Sequence, residues 1–246
     1  MRKTLAKAGT GVSMLITVGL IALALGAPAA GALESKNDAW AVIFATPAGS
    51  DNGPIAEGWA LHNWLINHGW MDSHIKFLAD FAGADAAPTK ENLQGAIAEL
   101  AQKSNSNSLV VISVMDHGQF GMVDSYFDAK NGLVSGLELS GWVSGIANYK
   151  KMVVEASFRY SGGFLSPMSG PGRVVVTSHA TTEGGLPNLY SLSEGLSASA
   201  ADTNGDGYVS VQEAHIYECA KIARDYGGSQ HPQMDSNAGT VILSVS

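Results

Sequence analysis

The 246 residues contain one cysteine, Cys219. A lone thiol cannot close an intramolecular disulfide, so stability outside a reducing compartment must come from packing, from metal, or from both. Its surroundings, "AHIYECAKIA", have the spacing of an apolar helix face, the setting of a buried, inert thiol. Basic residues are also scarce, 14 Lys+Arg against 22 Asp+Glu. An acidic surface of this kind repels nucleic acid and suits divalent cations. Internal repeats and low-complexity linkers are missing, and only one apolar run is long. That run, "MLITVGLIALALGA", follows Arg2, Lys3 and Lys7 and is followed by the small residues "APAAGA". The pattern is that of a secretory signal over residues 1–32, cleaved after Ala32, with an uncleaved membrane anchor as the other reading. Cleavage would remove three basic residues and no acidic ones, leaving a net charge of 11 − 22 = −11 and a secreted or periplasmic protein with no membrane attachment.

What is present is an alternation of strand and helix signals, enough for one main domain. "WAVIFATPA" (40–48), "HIKFLAD", "SLVVISVMDHG", "KMVVEASF" and "GRVVVTSHA" are apolar runs of the kind buried in parallel sheets. Between them, "IAEGWALHNWLINHG" has helical spacing and a C-cap at Gly69, "TKENLQGAIAELAQK" has Thr89 as its N-cap, and "LELSGWVSGIAN" forms a short helix. "GMVDSYFDAKNGLV" alternates around Asn131-Gly132 like a small hairpin. The class is α/β, a mostly parallel sheet with helices on both faces. The main unit is expected over 33–195. Residues 196–246, including a loop and final strand in "SQHPQMDSNAGTVIL", complete the same domain, with His231 a loop residue.

In such sheets catalytic groups gather beyond the carboxyl ends of the strands. Here one strand delivers "DHG" and another "EASFRYSGG". A histidine on one end and a nucleophile on its neighbour would form a dyad, with glycine turns leaving N–H groups free for an oxyanion. No cysteine stands in that turn.

The order of an opening "WAVIFA" strand, "VVISVMDHG", a hairpin, "LELSGWVSGIANYKKMVVEA", then "SGG" and "VVVTSHATTE" resembles the legumain-like peptidases of the caspase clan, from about Trp40 to about Glu183. The resemblance implies a caspase-like fold, with His117 in the place of the general base and Gly118 supplying an oxyanion donor. The nucleophile position departs from the family. Counting from Glu155-Ala156 lands on Ser157, and counting back from Ser161-Gly162 lands on Arg159. A serine hydroxyl is a far weaker nucleophile than a partly ionised thiol, and an arginine cannot attack. The arginine that the family uses to bind asparagine has no counterpart in "GSDNGPIAEG", where Asp51 and Asn52 read as turn residues. The expectation is a peptidase-like cleft without cysteine-peptidase chemistry, binding a peptide or protein partner. The alternative is a hydrolase with His117 as base and Ser157 as nucleophile.

The segment "DTNGDGYVSVQE" (202–213) fits the twelve-residue EF-hand loop. Asp202, Asn204 and Asp206 fall at positions 1, 3 and 5, Gly207 at the sharp turn, the Tyr208 carbonyl at 7, Ser210 at 9 and Glu213 at 12. Carboxylate and carbonyl oxygens at these intervals wrap a cation of calcium's size. One such loop in a secreted protein suits a structural Ca²⁺ site, with "VQEAHIYECAKIARDYG" as the exit helix.

Overall fold

A computed structural model describes residues 33–47, 51–121, 124–184 and 188–246. The signal segment, 1–32, lies outside the described residues. Six strands form the main sheet in the order β2-β1-β3-β7-β8-β9: β1 (Ala39–Ala45), β2 (Ile75–Ala79), β3 (Leu109–Met115), β7 (Lys151–Ser157), β8 (Arg173–Thr177) and β9 (Gln233–Ser236). All pairings are parallel except β8 with β9. The strands are near-continuous apolar runs because both faces are covered, and every residue of β3 is buried.

Alternation along each strand divides the core. Ile43, Val111 and Val153 face α1 (Gly53–Asn67), α5 (Leu192–Ser197) and α6 (Val211–Tyr226), which contribute Leu61, Leu196 and Ala214. Val110, Ile112 and Met152 face α2 (Lys90–Lys103) and α3 (Gly136–Val143), which contribute Leu93, Ile97 and Leu139. Full burial of a side chain such as Leu61 stabilises by roughly 1.5–3 kcal/mol, so each helix is held mainly by its apolar stripe. The α/β expectation, with a mostly parallel sheet and helices on both faces, holds.

Local signals place several ends. Thr89 Oγ1 accepts the Asn92 N–H at 3.2 Å and starts α2. Gly69 has φ +98° just past α1, and a Cβ there would lie 2.5 Å from the Val245 carbonyl oxygen. The expected hairpin, β5 (Ser125–Ala129) with β6 (Gly132–Ser135), gains a third strand, β4 (Gly118–Phe120). Its turn is centred on Lys130-Asn131, with Gly132 already opening β6.

The final strand expected within "SQHPQMDSNAGTVIL" is the polar "QMDS" of β9. An edge strand makes hydrogen bonds on one side only and need not be apolar. Val241, Leu243 and Val245 instead fill the core beneath α6. Cys219 is half-buried rather than buried, 3.5 Å from His215 Nε2. Burial and the neighbouring Glu218 nonetheless push its thiol up, so it remains unreactive. Among the described residues no helix is long and apolar enough to cross a membrane.

Candidate functional site

β3 and β7 pair in register with Met115 opposite Ser157, so both strands end at the same level. The Asp116 N–H donates to the Ser157 carbonyl at 3.2 Å and continues the ladder one residue further. Beyond it the chains diverge, and a cleft of about 200 Å³ opens between His117 on one side and Ser157 to Arg159 on the other. The start of α1, with Asp51, Gly53, Pro54 and Glu57, and residue Asn188 complete the wall. After Arg159 the backbone turns sharply at Tyr160, whose φ of 63° is the only positive value at a non-glycine among the described residues. A 3₁₀ turn, Ser161–Phe164, anchors the loop with Phe164 packed on Phe127 and Phe158.

The two candidate nucleophile positions have different fates. Arg159 Nη1 lies 3.1 Å from His117 Nε2. A guanidinium only donates, so Nε2 must accept and its lone pair is engaged. Ser157 is turned elsewhere, its Oγ accepting from Asn188 Nδ2 at 2.7 Å. Gly118 does not line the cleft. It lies against the loop, and a Cβ on it would come within 1.7 Å of the Arg159 carbonyl oxygen. The structure therefore brings His117, Ser157 and Arg159 to one cleft, but it is Arg159 that meets the histidine.

Five side chains that sequence reasoning passed over shape this site. Asp116 Oδ1 accepts from the Thr46 hydroxyl and from the His117 N–H, while its Oδ2 is buried without a partner among the described residues. Burial pushes this carboxyl well above its usual range. Glu57 keeps some exposure as a residue of α1, but its Oε1 is buried without a partner among the described residues. Burial first, and the negative charge of Glu155 second, raise it, against hydrogen bonds from Asn188 and Ser157. Glu155 points from β7 to the same face, accepts from Ser113 Oγ at 2.7 Å through Oε2, and has Oε1 unpartnered. Burial raises it to about 7. Burial and the neighbouring negative charge both favour the protonated form of Glu57, and burial favours that of Glu155. Gln230 fixes Asn188, donating from Nε2 to Asn188 Oδ1 at 3.0 Å and to the Ser178 carbonyl at 2.6 Å. A glutamate inside the apolar run "KMVVEAS" was the one available signal, since a buried charge demands a partner. Nothing in the sequence singles out Asn188 or Gln230.

The 202–213 loop lies apart, between α5 and α6. Gly205 and Gly207 adopt φ of +73° and +87°, which only glycine takes without strain. Asp202 accepts the N–H groups of Gly205 and Gly207 at 2.8 and 3.0 Å, Asn204 accepts that of Asp206, and Asp206 that of Tyr208. Ser210 N-caps α6, and Glu213 completes a capping box, its Oε2 accepting the Ser210 N–H at 3.0 Å. Glu213 Oε1 takes up N–H groups of Thr203 and Asn204. Burial raises Glu213, but these hydrogen bonds outweigh it and hold the carboxyl below its usual range. Among the described residues no group of three or more His, Cys, Asp or Glu side chains is gathered to hold a metal. The donor types and glycine turns fit a calcium loop. Glu213 would have to leave its capping contacts to join the other ligands. His231 lies outside this loop, paired with Glu183.

No family model matches the chain, and no curated protein matches it. Among solved structures it is similar to caspase-1 from Spodoptera frugiperda, with a TM-score of 0.56 and 14% identity over 87% of this chain and 92% of that one. The likeness shows a caspase-like fold.

Proposed function

We propose that this chain is a secreted relative of the legumain-like peptidases that has lost cysteine-peptidase chemistry and binds a peptide or protein segment in the strand-end cleft that His117, Ser157 and Arg159 help to line. One observation carries the reading: Arg159 Nη1 stands 3.1 Å from His117 Nε2, where a base would need to receive a nucleophile's proton. The Ser157 hydroxyl, held by Asn188, is a weak nucleophile and lacks that base. What remains is a polar groove at the strand ends with a preformed wall, the usual place for ligands in such sheets. Secretion rests on the signal pattern of residues 1–32 and the acidic balance of the rest.

The 202–213 loop takes Ca²⁺ in this reading, held by Asp202, Asn204, Asp206, the Tyr208 carbonyl, Ser210 and Glu213. The cation supplies positive charge that binds the entry of α6 to the loop, a structural role.

The test is turnover of fluorogenic peptide reporters, asparaginyl ones included, by the chain without residues 1–32. We expect none that depends on His117. Secure cleavage abolished by both His117→Ala and Ser157→Ala overturns the reading and establishes the serine hydrolase instead.

A further inference from the structure

We propose that the cleft is a receptor for one cationic side chain, lysine or arginine, of the bound segment, with Glu57 and Asp116 as the groups that hold it; this rests on the peptide-binding reading above. Both carboxyls line the same cleft, Glu57 from the first turns of α1 and Asp116 from the end of β3. Each keeps one oxygen, Glu57 Oε1 and Asp116 Oδ2, buried and without a hydrogen-bond partner among the described residues. Native structures rarely leave such acceptors unmet, and each is an appeal for a donor. Their other oxygens meet neutral groups, Asn188 for Glu57, and the Thr46 hydroxyl and His117 N–H for Asp116, so neither contact supplies a positive charge.

The chemistry of the occupant follows from the inventory of donors. An ammonium or guanidinium offers donors and no acceptor, and matches unmet carboxyl oxygens on charge as well as on hydrogen bonding. A side-chain amide would bring a carbonyl oxygen toward a wall already in excess of acceptors. A carboxylate would meet like charges. Arg159, the cationic residue among those that line the cleft, donates to His117. At about 200 Å³ the space is below the roughly 300–1,000 Å³ of pockets that enclose whole small molecules, and suits a single side chain.

The experiment uses N-acetylated, C-amidated peptides of one sequence that differ at a single central residue, Lys, Arg, Gln or Glu, so that the side chain is the only variable charge. Binding to the chain without residues 1–32 is measured by calorimetry, with wild type and the near-isosteric variants Glu57→Gln and Asp116→Asn. We expect Lys or Arg to bind about tenfold or more tighter than Gln, as a charge-assisted contact in a partly dry site should, and Glu weakest. Each variant should lose most of the Lys-over-Gln advantage while keeping its affinity for the Gln peptide. Retained Gln binding also shows that a variant is folded. Equal affinities for Lys and Gln peptides overturn the cation receptor and leave peptide binding intact, as does a Lys preference that neither variant alters. If no peptide of any charge binds, the peptide-binding reading falls and this inference with it.

Discussion

The strand-end cleft and the 202–213 loop are both polar and rich in carboxylates, yet they are assembled in opposite ways. In the loop, the six positions proposed to hold Ca²⁺ fall within twelve consecutive residues, and the backbone itself satisfies the side chains: Asp202 takes two N–H groups, Asp206 takes one. In the cleft, the interacting groups come from residues 46, 57, 116, 157, 188 and 230, and two carboxyl oxygens are left unmet. The loop therefore keeps Glu213 below its usual range, whereas burial in and beneath the cleft pushes Glu57, Asp116 and Glu155 upward. Carboxylates held by local N–H groups stay charged and can wait for a metal. Carboxyls held by tertiary packing are driven toward protons or toward a cationic ligand.

The largest test of this contrast compares glycines. Gly118→Ala drives a methyl toward the Arg159 carbonyl, a backbone atom that cannot step aside, and should cost about 3 kcal/mol in urea unfolding. Gly207→Ala meets nothing within 4 Å and suffers only the strain of φ +87°, about 1–2 kcal/mol. If the two variants unfold alike, close packing of β4 against the Arg159 loop is not what separates the regions.

Next is the response to metal. Calcium at a hundredfold over its dissociation constant should add about 2.7 kcal/mol, and magnesium far less, because it gives up its water reluctantly. Glu213→Gln should abolish most of this gain. A glutamine still serves the capping box with Ser210, so the comparison isolates the metal from the helix start. Identical melting of wild type and Glu213→Gln in calcium and in chelator would reduce the loop to a turn.

The smallest effect is a pH slope. Glu155 titrates near 7 in the folded chain, above its ordinary 4.5. Between those values the folded state binds the extra proton, so this group's contribution is complete below 4.5 and is lost as pH rises to about 7, by up to about 1.4 kcal/mol per unit. His179 and His215, pushed down to about 4 by burial, act in the reverse sense from 6.5 down to 4. The measurement is therefore the difference between wild type and Glu155→Gln, whose relative stability should favour the variant progressively from pH 5 to pH 7. A flat difference would show that Glu155 holds no extra proton in the folded chain.

The amino-acid order by itself determined the strand and helix alternation, the Thr89 cap, the glycine stop after α1 and the twelve-residue loop, because each rests on spacing within a few turns of chain. It also placed His117 and the 157–161 turn at adjacent strand ends, since parallel strands in one sheet finish together. It left the bounds of the last strand open within "SQHPQMDSNAGTVIL", because an edge strand such as Gln233–Ser236 carries no apolar signature. Only the tertiary structure decided which side chain meets His117. The turn that contains the left-handed Tyr160 carries Arg159 against the imidazole, while Asn188, itself held by Gln230 far away in sequence, engages the Ser157 hydroxyl. Contacts across such separations depend on where whole elements dock, and no local pattern of residues encodes that.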